Sequence, residues 1–125
     1  MIFDTDVLIR VLRGNTKAAR AVAATDRRTV SVVSYMELLQ GARDKHELRS
    51  IKAFLADMRF RMLPLDENIG HRATIYMEQH ALSASVSMPD ALIAATAAET
   101  GDTLLTGNDK HYRPIRELAL KRFRP

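Results

Sequence analysis

The chain begins with three apolar residues, Met1-Ile2-Phe3, that end at Asp4, and this predicts a short strand over MIFD. Helical spacing of apolar positions follows from about Asp6 to Leu12 and stops near Gly14-Asn15. Thr16 to Ala24 is rich in Ala and predicts a second helix. Thr29 to Val33 is mostly β-branched and predicts the second strand. Ser34 comes next with Glu37 three positions on, the spacing of a capping box, so a helix is predicted over Tyr35–Gly41. Leu48, Ile51, Phe54, Leu55 and Met58 recur at three- and four-residue intervals and mark an amphipathic helix from about Lys45 to Asp57. Phe60 to Leu63 predicts a third strand closed by Pro64, and Asp66 opens a helix to about Leu82. Pro89 suits the first turn of a helix that starts at Ser87 and ends at Gly101. Thr103–Leu105 predicts a strand and Leu118–Phe123 a last one. Strands alternating with helices predict an α/β fold, with a mainly parallel sheet covered on both faces.

Composition narrows this picture. The 125 residues fit one compact domain with a single core. Only 6% are aromatic and none is Trp, so Ala, Leu, Ile, Val and Met must fill the interior. The absence of Cys excludes disulfides and thiolate metal sites. No apolar run reaches the roughly 20 residues of a membrane span. Asp4 and Asp6 stand where a secretory leader would carry positive charge. An intracellular, cytoplasmic protein without membrane contact is expected.

The net charge of +4 is unevenly spread. Residues 62–109 hold seven acids and one base, Arg72, whereas Lys110, Arg113, Arg116, Lys121, Arg122 and Arg124 face one acid, Glu117, in the last stretch. Arg43, Lys45, Arg49, Lys52, Arg59 and Arg61 form a second basic segment. Basic surface beside concentrated acid suits a polyanion held over a metal site, and equally suits an ordinary solvated surface.

The acids are placed where chemistry is expected. In open α/β sheets, ligands bind beyond the carboxyl ends of the strands. Asp4 and Asp6 follow the first predicted strand, Glu37 the second, Asn108 and Asp109 the strand at 103–105, and Asp90 opens a helix. Such hard oxygen donors suit Mg²⁺ or Mn²⁺. Each also has an ordinary explanation: Asp4 as a helix N-cap, Asp6 as a dipole partner, Glu37 as half of a capping box, Asp90 as a first-turn acid, and Asn108-Asp109 as a polar turn.

The stretches DTDVLI at the start, VVSYMELLQGA at 32–42, MPDALIAATAAETG at 88–101 and LLTGNDKHYRPI at 104–115 resemble, in that order, the PIN-domain ribonucleases, and within them the VapC-type toxins of toxin–antitoxin pairs. The resemblance covers essentially the whole chain. It implies a single PIN-like domain, a three-layer α/β/α sandwich with a short, mainly parallel sheet. It implies metal-dependent hydrolysis of RNA, with tRNA-like structured RNA as substrate class. It also implies a homodimer and an antitoxin partner whose tail covers the site. By position, Asp4, Glu37 and Asp90 match the metal-binding acids, and Thr106 and Asn108 match a supporting polar pair. Asp6 stands where the family usually has Ser or Asn, and His111 where it often has a fourth acid. Asp109 lies one residue after Asn108 and is a further candidate for that place.

Three other readings fit parts of the chain. Asp4-Thr5-Asp6 resembles the DxD signature of haloacid-dehalogenase-type phosphatases, with Asp4 as nucleophile, but the further acid pair is missing after a later strand. A receiver-like domain would need an Asp after the second strand, and none is there. A degenerate PIN domain that binds RNA or protein without cutting is the third; His111 favours it, and the presence of Asp4, Glu37 and Asp90 disfavours it.

Overall fold

The computed structural model describes residues 1–83 and 86–125. Its centre is strand β1 (Ile2–Phe3), flanked on one side by β2 (Thr29–Ser31) and β3 (Arg61–Leu63) and on the other by β4 (Leu104–Thr106) and β5 (Leu120–Arg122). The order is β3-β2-β1-β4-β5 and every pairing is parallel. The helices are α1 (Thr5–Leu12), α2 (Thr16–Ala23), α3 (Val32–Gln40), α4 (Lys45–Asp57), α5 (Glu67–His80), α6 (Met88–Thr100) and the short α7 (Asp109–Tyr112). Parallel neighbours need crossover connections, and the helices supply them.

Alternation along the strands divides the core. Ile2 and Leu104 point into one apolar cluster, with Ile69, Ala73 and Tyr76 of α5, the small buried face of α6, and Tyr112, Ile115 and Leu118. Phe3, Val30 and Leu105 point into the other, with residues of α1 and α2, Ile51 and Leu55 of α4, and Phe123. Ala91, Ala94, Ala95 and Ala97 are fully buried, so α6 lies close against its neighbours. Phe3 is fully buried and stacks edge-on to Phe60 at 5.4 Å; its truncation to Ala would cost about 3–5 kcal/mol. Arg28 closes the far end, donating to the carbonyls of Val22 and Thr25 beside α2 and of Met58 after α4.

The capping box at Ser34 and Glu37 does not form. Strand β2 ends at Ser31, whose side chain accepts from the Val33 N–H and caps α3. Val32 and Val33 are therefore helical despite their β-branching. The cap and the burial of Val33 in the core outweigh strand propensity. Ser87 and Asp66 do cap α6 and α5, and Gly101 ends α6 at φ 65°. Helix α7 stands where a polar turn was one expectation.

Strands β1 to β3 step outward in one direction, and the chain then returns to place β4 on the other side of β1. The carboxyl ends of β1 and β4 therefore border the switch point of the sheet, where doubly wound folds leave a crevice. Asp4 leaves β1 at that point, and Thr106 is the last residue of β4.

Candidate active site

Asp4 is both a helix cap and the buried centre of the site. Its Oδ1 accepts the Thr5 N–H at 2.8 Å, and its Oδ2 accepts the Thr106 hydroxyl at 2.7 Å. The Tyr112 hydroxyl lies 3.1 Å from Asp4 Oδ1 and 3.2 Å from Asp90 Oδ1, so one phenol joins two carboxylates from distant parts of the chain. A carboxylate offers about four lone-pair positions. Three of those on Asp4 are engaged, which leaves one on Oδ2.

Asp6 completes the acidic group. Its Oδ2 accepts the Gly107 N–H at 3.0 Å, and its Oδ1 is buried without a hydrogen-bond partner. Burial first, and then the charges of Asp6 and Asp90, push the Asp4 carboxyl up to about 7, although Thr106 and the Thr5 N–H pull it down. Burial likewise raises Asp6, against the Gly107 N–H. Burial and the charges of Asp4 and Asp90 raise the Tyr112 phenol, which stays protonated and donates.

The other expected residues take different places. Glu37 is held by the Thr5 hydroxyl, which donates to its Oε1 at 2.7 Å and lies 2.9 Å from Ser34 Oγ. Thr5 thus stands between Glu37 and Asp4. Glu37 also lines a groove of about 570 Å³, with Ile9, Leu38 and Ile51 beside Arg13 and His46. The Asn108 N–H donates to Thr106 Oγ1 at 2.9 Å, and its amide lies 3.4 Å from His111 Nδ1. His111 Nδ1 lies 3.4 Å from Asp90 Oδ2. Asp109 turns away from this group. It pairs with Arg113 at 2.5 Å and faces Arg122 Nε at 3.6 Å. Burial opposes its charge, but these two arginines hold its carboxyl below the usual range.

A hard divalent cation fits these donors. The site offers only oxygen at its centre, gathers like charges that burial penalises, and leaves a buried carboxylate oxygen on Asp6 unpartnered. Among the described residues, no three Asp, Glu or His side chains converge tightly enough to enclose an ion by themselves. Mg²⁺ commonly keeps several waters and takes only one or two carboxylates, so such a cage is not required.

A family model described as PIN domain matches residues 1–117. The chain belongs to the PIN-domain family. Its architecture is shared by solved structures of toxin–antitoxin complexes. A toxin–antitoxin complex from Klebsiella pneumoniae is similar at 26% identity and a TM-score of 0.79, with 94% of each chain covered. VapBC-1 from nontypeable Haemophilus influenzae is similar at 22% identity and a TM-score of 0.82, with 98% of each covered. DNA-bound VapBC from Salmonella typhimurium is similar at 20% identity and a TM-score of 0.81, covering 97% of this chain and 96% of that one. A search of curated proteins finds no significant match. Among the described residues of this PIN domain, no helix is long and apolar enough to cross a membrane.

Tyr112 and Thr5 are the two site residues that sequence reasoning missed. A buried Tyr needs a partner for its hydroxyl, and Tyr112 follows His111, itself a candidate, directly. That was the available signal. Thr5 sits between two candidate acids and carries the only side-chain hydroxyl of the Asp4-Thr5-Asp6 stretch.

Proposed function

We propose that this PIN domain is a metal-dependent endoribonuclease, the toxin of a type II toxin–antitoxin pair, acting in the cytoplasm on tRNA-like structured RNA. The observation that carries the reading is the joining of Asp4 and Asp90 through Tyr112 at the carboxyl edge of the sheet, with Asp6 alongside. Similarity to toxin–antitoxin complexes supports an antitoxin partner, and the groove beside Glu37 offers apolar floor and basic edge for its tail. A homodimer belongs to the same reading.

Asp4 and Asp90 would hold Mg²⁺ or Mn²⁺, with Glu37 acting directly or through water. When bound, the ion supplies an activated water and charge stabilisation at the phosphoryl group. The residues of the chain do the rest. Thr106 and the Thr5 N–H fix the Asp4 carboxylate, and a carboxylate oxygen of Asp90 would take the proton from the attacking water. Arg113 and Arg122 are half exposed, and with Lys110 they would offer charge to the RNA backbone.

His111 against Asp90, in the place of an acid, favours a second reading, an RNA-binding module that does not cut. One experiment separates the two. Protein freed of any antitoxin is incubated with total tRNA in Mg²⁺, Mn²⁺ or EDTA. Cuts that need the metal support the nuclease. RNA binding without cuts in either metal supports the module.

A further inference from the structure

Tyr112 ties the core of the protein to its acidic site. It is fully buried in the apolar cluster that also holds Ile93, Ile115 and Leu118, so packing fixes its ring. Its hydroxyl emerges between Asp4 Oδ1 at 3.1 Å and Asp90 Oδ1 at 3.2 Å. These two carboxylates reach the site from distant parts of the chain, and among the described residues they share no other hydrogen-bonding side chain. One phenolic proton lies between two acceptors of like charge, which would otherwise repel each other.

We infer that Tyr112 is a positioning residue: its buried ring and shared hydroxyl set the separation at which Asp4 and Asp90 receive a divalent cation. This rests on the reading that Asp4 and Asp90 hold the ion. The hydrogen bonds leave lone pairs open for it. Tyr112 and the Thr5 N–H engage Asp4 Oδ1, and the free position of Asp4 lies on Oδ2 beside the Thr106 bond. On Asp90, Tyr112 engages Oδ1, and Oδ2 faces His111. An ion can therefore bind without displacing the phenol. Phe at this position would keep the ring in the core and remove only the link. Metal-ligating carboxylates depend on such outer partners, whose loss typically weakens metal affinity about 10–100-fold.

The test is Mn²⁺ binding to the full chain by titration calorimetry, for the wild type, Tyr112→Phe and Asp90→Asn, with circular dichroism on each. Tyr112→Phe is expected to keep the fold, weaken Mn²⁺ about 10–100-fold, and lower kcat with KM for RNA unchanged. Unchanged Mn²⁺ affinity in folded Tyr112→Phe, with binding lost in Asp90→Asn, overturns the role of Tyr112 and leaves the metal site standing. Unchanged affinity in Asp90→Asn overturns the metal site itself, and the role of Tyr112 with it. If Tyr112→Phe fails to fold, the wild type still decides the matter. The ¹³Cζ resonance of Tyr112 is expected to shift on titration with Mg²⁺, and a resonance that stays fixed at saturation overturns the inference.

Discussion

The carboxylate of Asp6 occupies the space that a side chain at Gly107 would need. A Cβ there would lie 2.8 Å from Asp6 Oδ2, the same oxygen that accepts the Gly107 N–H at 3.0 Å. The two residues, 101 positions apart, fit as a pair. Gly107→Ala should displace the Asp6 carboxylate and cost about 1 kcal/mol for the lost hydrogen bond. Adding Asp6→Ser, a shorter side chain, should restore much of that loss. Thermal melts of the two single variants and the double variant would show a coupling of about 0.5–3 kcal/mol. Strictly additive losses would mean that the two positions are independent.

The Asp4 carboxyl carries a pH signature. Burial and the neighbouring charges raise it from 3.8 to about 7 in the folded protein. Over that interval the folded state keeps a proton that the unfolded chain has released. Stability from this group is therefore greatest at the acid end and falls as pH rises to about 7. The slope is about 1.4 kcal/mol per pH unit, and it flattens above the folded value. Urea midpoints taken in EDTA across this range should decline in the wild type relative to Asp4→Asn. A divalent ion should reduce the decline, because it replaces the proton as counter-charge. Parallel curves for the two proteins would show that Asp4 is ionised throughout.

Asp109 and Asp90 should separate cleanly on substitution. Asp109 is committed to Arg113 and Arg122, which fastens α7 to β5, whereas Asp90 shares Tyr112 with Asp4. Asp109→Asn is expected to lower the melting temperature and keep Mn²⁺ binding. Asp90→Asn is expected to lose Mn²⁺ binding with little change in melting. The opposite pattern would make Asp109 the metal-binding acid of this edge.

Much of the fold was legible in the sequence because the strong signals are local. The caps Ser87 and Asp66, the terminator Gly101 and the spacing of Ile51 and Leu55 all act within a few residues. The boundary between β2 and α3 was misplaced where local rules conflict. Ser31 and Ser34 can both cap a helix, and the choice of Ser31 is set by tertiary contacts: Val33 enters the core, and Ser34 meets Thr5 from another helix. At the site, Asp4, Asp6 and Asp90 were legible as acids at strand ends and helix starts. The joining of Asp4 to Asp90 was not. It depends on Tyr112, whose hydroxyl is placed by a core assembled from β1, β4, α3, α5 and α6 around its own helix, and no spacing in the sequence encodes that. The direction in which Asp109 points was hidden for the same reason, since Arg122 reaches it from the last strand.

The most direct measurement is the rate of RNA cleavage by Asp4→Asn and Asp90→Asn beside the wild type, with folding and RNA binding followed on the same preparations. Both variants are expected to stay folded, bind RNA and not cut it. Cleavage by either at the wild-type rate would contradict a site built on Asp4 and Asp90.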